Sequence, residues 1–305
     1  MIALIACEGL RFAYGGREVL HGVSFTVEQG GIVGLLGKNG AGKSTTINIL
    51  MGFLRPDAGA CSILGHPGHA IPPLERRRIG LLHEGFVQYD FMTIAEIERY
   101  HAAFYPAWDR DLYYDLVNRL VDVPHSRKVS RLSCGQRSQV ILGLILAQCP
   151  ELMILDDYSM GLDVGYRRLF LEFLREYVDV RGTTVLLTSH IVQELDSFLD
   201  DVLIIHEGEI IVSGTRDSFM AGFFGYTLPA RYEPRLRELA PTQTRGGPVH
   251  SIEAGRRDVA VYGFAPLDAM RGHLAGLGLE TEALDQLAQQ PLSFEDAFIG
   301  LTGRY

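Results

Sequence analysis

Short apolar runs rich in Val and Ile alternate along the chain with longer stretches whose apolar residues recur at helical spacing. VSFTV (23–27) keeps period-two alternation and predicts a half-buried strand. GIVGLLG (31–37) is continuously apolar and enters a glycine-rich loop, which predicts a fully buried strand, and STTINILMGF (44–53) continues behind it as a helix. From about residue 84 to 148 the texture turns helical and aromatic: Phe86, Tyr89, Phe91, Tyr100, Phe104, Tyr105, Trp108, Tyr113 and Tyr114. At that spacing most of these rings are expected to form the core of a helical insert, closed by SCGQRSQVILGLILAQ. Strand patterning resumes with ELMIL (151–155), TVLLTS (184–189) and VLIIHEGEIIVSG (202–214), a hairpin predicted to turn at Glu207-Gly208. The alternation predicts an α/β fold with a parallel or mixed sheet. A boundary is expected near residues 214–217. Beyond it RDVAVYGF (257–264) reads as a strand, PLDAMRGHLAGLG (266–278) as a helix and SFEDAFIGLTG (293–303) as a capped helix.

Bulk properties narrow this picture. The 305 residues suffice for an α/β domain plus a smaller appendage, and 47% hydrophobic with 21% charged residues supports a sizeable core. A net charge of −9 weighs against a general nucleic-acid binder, and the local ERRR (75–78) reads as a solvated helix face. Four scattered cysteines (Cys7, Cys61, Cys134, Cys149) lack metal-site or disulfide-framework spacing and fit a reducing compartment. The longest apolar run, VILGLILA, has eight residues, against about 20 for a spanning helix. The opening MIALIA lacks the basic segment of a signal peptide. A soluble protein is expected, with any membrane span supplied by another chain.

Three stretches carry chemistry. GKNGAGKST (37–45) matches GxxxxGK[ST] between a buried strand and a helix. Its glycines let backbone N–H groups turn inward around phosphate oxygens at the positive end of the helix. Lys43 is expected to reach the β- and γ-phosphates of a nucleotide and Ser44 to offer a hydroxyl to Mg²⁺. ELMILDDYSMGLD (151–163) runs an apolar strand into Asp156 and Asp157, with Asp163 following. An ionised carboxylate at a core edge needs compensation, and with a phosphate loop present Asp156 fits a second Mg²⁺ ligand. Asp157, next along, is placed to orient or deprotonate an attacking water. In LSCGQ (132–136), Ser133 and Gln136 form an S-x-x-Q capping box that opens the next helix; such an N-terminus is also a ready anion site, and spacing does not choose between the two.

The order GKNGAGKST, LSCGQ, LMILDD, GLD, TSH resembles the nucleotide-binding domain of ATP-binding cassette (ABC) ATPases over roughly residues 1–215. The resemblance implies a P-loop NTPase fold of ABC type with a helical subdomain at about 84–148, and a small C-terminal α+β subdomain over 216–305. It implies head-to-tail pairing with a second ABC ATPase chain, most simply a homodimer, sandwiching two MgATP and driving an integral membrane permease in a separate chain. No nucleic-acid partner is expected, and the chain would sit in the cytoplasm against the inner face of the cell membrane. By the resemblance Tyr14 stacks on adenine, and Gly37, Asn39, Gly40, Gly42, Lys43, Ser44 and Thr45 hold the phosphates. Ser133, Gly135 and Gln136 face the partner's γ-phosphate, Asp163 links the two sites and His190 is the switch histidine.

Three departures stand out. Asp157 replaces the usual glutamate, a methylene shorter; about 1 Å of misplacement costs on the order of 10²-fold in rate, so hydrolysis is expected to be slow or to depend on tight closure that brings Asp157 within reach. Glu84 replaces the glutamine that links the metal site to the insert, and its carboxylate would approach Mg²⁺ or its waters, as in exporter-type relatives. Cys134 replaces a signature glycine. The segment FYPAWD (104–109) and the ending SFEDAFIGLTG are similar to drug- and antibiotic-exporter ATPases, whose insert also receives a short permease helix. An ATPase subunit of an ABC exporter is therefore expected. One competitor, a soluble ABC protein acting on ribosomes or DNA, would bring two cassettes or a long coiled-coil insert. Another, a regulatory or scaffold ATPase with weak turnover, rests on Asp157 and is separated by an ATPase assay with and without membranes.

Overall fold

Two kinds of strand patterning build two kinds of sheet. A computed structural model describes residues 3–83, 89–159, 162–189, 191–240 and 247–303, which divide into two units. The first (1–190 and 198–213) begins with β1 (Ala3–Tyr14), β2 (Arg17–Glu28), β3 (Ile32–Leu36), α1 (Lys43–Leu50), β4 (Ala58–Ile63) and β5 (His66–Pro67). Next come α2 (Pro73–Arg76), β6 (Ile79–Leu82), α3 (Ile94–Ala102), α4 (Arg110–Leu120) and α5 (Cys134–Ala147). It closes with β7 (Leu152–Leu155), α6 (Val164–Arg181), β8 (Thr184–Ser189), β9 (Asp201–His206) and β10 (Glu209–Thr215), whose last residues fall past the boundary.

Strands with one solvated face pair antiparallel in the order β2-β1-β4-β5. The continuously apolar strands lie in a second sheet, ordered β10-β9-β3-β8-β7-β6, in which β3 pairs parallel with β8 and β9, and β7 with β6 and β8. All five residues of β3 and all four of β7 are buried. One core joins both sheets through α1, with Leu10, Leu20, Leu35, Ile47, Ile154 and Leu186 among its members. Parallel pairing brings the carboxyl ends of β3, β7 and β8 to one edge, where α/β sheets bind ligands.

VSFTV is the inner part of the longer β2, and the helix read over 44–53 ends at Leu50, where Gly52 turns the chain at φ 74°. The hairpin between β9 and β10 turns at Glu207-Gly208 with φ 47° and 74°, the left-handed pair a two-residue turn requires.

Three capped helices make the insert: Thr93 and Asp109 cap α3 and α4, and Ser133 caps α5. Glu98 is fully buried on α3, and its carboxylate accepts from Trp108 Nε1 at 2.9 Å, Arg110 Nε at 3.0 Å and the Tyr114 hydroxyl at 3.4 Å. The expectation that most insert aromatics are core needs correction. Tyr113 is buried, but Tyr89, Phe91, Tyr100 and Phe104 are exposed and pack edge-to-face on one another. Phe86 and Glu84 lie outside the described residues.

The second unit (191–197 and 214–305) contains α7 (Arg216–Gly222), β11 (Phe224–Pro229), α8 (Glu233–Leu239), β12 (Ser251–Ala254) and β13 (Asp258–Gly263). It ends with α9 (Leu267–Gly276), α10 (Thr281–Asp285), β14 (Ala288–Gln290) and α11 (Phe294–Thr302). Its antiparallel sheet, ordered β12-β13-β11-β14, has a core of its own around Tyr226, Leu236, Val261 and Met270. Residues 191–197 belong here: Arg216 pairs with Asp196, and Gln193 bonds to Glu295.

Candidate functional site

The loop between β3 and α1 is shaped by residues that only fit without side chains. Gly42 stands at the N-cap of α1 with φ 111°, and a Cβ there would lie 2.5 Å from a Leu20 methyl. No side chain caps α1 and its first turn carries no acid, so its leading N–H groups are left for a ligand. Lys43 Nζ folds back and donates to the carbonyls of Gly37 at 2.6 Å and Lys38 at 3.0 Å. That poise lines a cation along the rim of an N–H-rich loop, the arrangement that binds phosphates.

Opposite, β7 ends in Asp156, 1% exposed. Its Oδ1 accepts from Thr188 Oγ1 at 2.7 Å and Ser44 Oγ at 3.3 Å, while its buried Oδ2 has no hydrogen-bond partner among the described residues. A buried, half-satisfied carboxylate is costly, and two hard oxygen donors beside a phosphate loop are what a magnesium ion takes. The donor set therefore fits Mg²⁺. Asp157 sits at φ 47°, unusual for a residue with a side chain; its N–H donates to Thr188 Oγ1 at 2.8 Å, and its Oδ1 accepts from Ser159 Oγ at 2.8 Å.

These groups share a cleft of about 940 Å³. The structure brings Tyr14, Asn39, Gly40, Gly42, Lys43, Ser44 and Thr45 together with Asp156 and Asp157 on its walls. Tyr14 is 51% exposed, and its ring stands edge-to-face with that of Phe12. Gly37 contributes its carbonyl to Lys43 but does not line the cleft.

Ser133, Gly135, Gln136 and Asp163 are not among the residues lining the cleft. Ser133 Oγ accepts from the Gln136 N–H and Gln136 Oε1 from the Ser133 N–H, a closed capping box with Gly135 in the first turn of α5. Asp163 caps α6 through the Tyr166 N–H at 3.1 Å. His190 and Glu84 fall outside the described residues.

The cleft also takes in residues the sequence reading passed over: Arg17, Val19, His21, Thr188, Glu207 and Gly208. Thr188 had a signal, being the hydroxyl that ends the apolar run VLL and opens the TSH stretch. Gly208 had none, because it reaches the loop through tertiary contacts: its N–H donates to Ala41 O at 3.2 Å and its carbonyl accepts from the His21 N–H at 2.8 Å.

Comparison with known proteins follows the same lines. Residues 20–159 match the family model described as "ABC transporter". The chain is 32% identical over 301 residues to Nod factor export ATP-binding protein I of Sinorhizobium fredii, covering 96% of this chain and 84% of that protein. A protein of the same name from Ralstonia nicotianae is 31% identical, covering 99% and 94%. A solved ATP-binding subunit of an ABC transporter superposes with TM-score 0.64 at 30% identity, covering 72% of this chain and 92% of that one. A nucleotide-free ATP-binding cassette at 22% identity shares the fold, with TM-score 0.56.

Proposed function

This chain belongs to the family of ABC transporter ATP-binding proteins, and on that premise we propose that it is the ATP-hydrolysing subunit of an exporter. The relatives are named for Nod factor export, and export is the direction carried over. The observation that carries the reading is the cleft in which Lys43 and Ser44 face a buried Asp156 whose Oδ2 has no partner. In it Tyr14 would stack on the adenine, and the loop from Gly37 to Thr45 would bind the phosphates. Ser44 and Asp156, joined by Glu84, would hold a magnesium ion, whose chemistry there is to neutralise charge on the phosphate oxygens. Asp157 would orient the attacking water and accept its proton, with His190 on the γ-phosphate side. The carboxylate bonded back to Ser159 favours slow turnover.

Ser133, Gly135, Gln136 and Asp163, which lie off this chain's own cleft, would complete the site of a second copy in a head-to-tail homodimer. Among the described residues no helix is long and apolar enough to cross a membrane, so the transport path is assigned to a separate integral membrane permease, with this chain docked on it at the inner face of the cell membrane. The exposed aromatic cluster of Tyr89, Phe91, Tyr100 and Phe104 is the surface assigned to that permease.

The test compares ATP binding and turnover of the wild type with Lys43→Ala and Asp156→Asn, and recovers the protein from detergent extract. Lys43→Ala is expected to lose nucleotide binding. Asp156→Asn should keep nucleotide but lose turnover, by about 10²-fold or more. An integral membrane protein should copurify. Wild-type protein that neither binds ATP nor recovers a membrane partner would overturn the reading.

A further inference from the structure

The buried hydroxyl of Thr188 touches both carboxylate residues of the site at once. It accepts the Asp157 backbone N–H at 2.8 Å and gives its own proton to Asp156 Oδ1 at 2.7 Å. We propose that Thr188 is the positioning residue of the metal-side carboxylate: it ties up Oδ1 so that Oδ2 of Asp156 is presented to the cation. The proposal rests on the reading of the cleft as a magnesium–nucleotide site.

Register places it there. β7 and β8 run parallel with Leu155 opposite Leu187, so the next residues, Asp156 and Thr188, also stand side by side. A one-residue slip would bring a side chain from the other face. Thr188 is 1% exposed, and a buried hydroxyl needs a partner. A purely structural threonine meets that need with any nearby carbonyl. This one spends its donor on Asp156 and its acceptor on Asp157, while Oδ2 of Asp156 stays buried and unpartnered. Ser44 alone, at 3.3 Å from Oδ1, is a weaker tether. Without the Thr188 hydroxyl the carboxylate is free to turn, and the Asp157 N–H loses its acceptor.

The experiment measures Mn²⁺ affinity by electron paramagnetic resonance in full-length protein loaded with a non-hydrolysable β,γ-imido analogue of ATP. Thr188→Val keeps the shape and removes the hydroxyl; Thr188→Ser restores it. Loss of an outer hydrogen-bond partner typically costs about 10- to 100-fold in metal affinity. Thr188→Val is expected to weaken Mn²⁺ binding by about tenfold, with metal-free nucleotide affinity within about twofold of wild type and Thr188→Ser close to wild type in both. Intact metal-free nucleotide binding also certifies the variant's fold. Unchanged Mn²⁺ affinity in Thr188→Val, or equal loss of metal and metal-free nucleotide binding, would overturn the proposal alone. Wild-type protein that binds the analogue but takes up no added Mn²⁺, or that binds neither, would overturn the magnesium reading and the proposal with it.

Discussion

At the residue scale, Asp157 is the proposed water-activating group. Its backbone is held at φ 47° by the Thr188 hydroxyl, and its short side chain is turned to Ser159. The carboxylate therefore has to leave Ser159 to approach a water. Asp157→Glu supplies a methylene and is expected to raise kcat by about tenfold, within the range that roughly 1 Å of placement commands. Asp157→Asn keeps the size and removes the base, and is expected to lower kcat by about 10²-fold, read in a steady-state ATPase assay. Turnover unchanged by Asn would exclude a chemical role for this side chain. Ser133 and Asp163 are a different case. Each caps a helix within its own chain, so an alanine there loses helix stability whatever happens at a dimer interface.

At the scale of elements, the insert shows how an apolar pattern hides a polar centre. Glu98 lies among the apolar positions of α3 and is fully buried, held by donors from Trp108, Arg110 and Tyr114. The FYPAWD segment is thereby given a physical role, because Trp108 anchors the chain ahead of α4 and Asp109 caps that helix while pairing with Arg181. Glu98→Ala leaves the half-buried indole N–H of Trp108 without the Glu98 acceptor and opens a cavity. A loss of about 2 kcal/mol is expected in denaturant unfolding. Glu98→Gln, which retains an acceptor oxygen, should lose clearly less. Little change for alanine would mean that water enters and satisfies the indole.

For the whole molecule, the proposed reading puts two functions on different surfaces of one unit. Tyr89, Phe91, Tyr100 and Phe104 are not among the residues lining the nucleotide cleft. Phe91→Ser together with Phe104→Ser is therefore expected to leave basal ATP turnover within about twofold of wild type, as surface changes commonly do. The same pair should abolish copurification of the membrane partner, since aromatic anchors dominate protein interfaces. Retention of the partner by the double variant would remove this cluster from the docking surface.

Much of this protein was legible along the chain, because the features concerned are local. GKNGAGKST, the apolar run into Asp156-Asp157, the Glu207-Gly208 turn and the Ser293 cap each follow from neighbours a few residues away. Hydrophobic periodicity and glycine chemistry act over that range. The antiparallel strand β1 escaped notice because its alternation is interrupted by register shifts against β2 that no local pattern announces. Glu98 escaped because a carboxylate reads as solvent-facing until its three donors are folded around it. Thr188 needed the parallel register of β7 and β8 to become Asp156's partner, and the bond between Ser159 and Asp157 needed a left-handed backbone at Asp157. The chain by itself determined which groups are the candidates for nucleotide binding. Only the tertiary structure decided how they are aimed, since a side chain's direction depends on hydrogen bonds with strands distant in sequence.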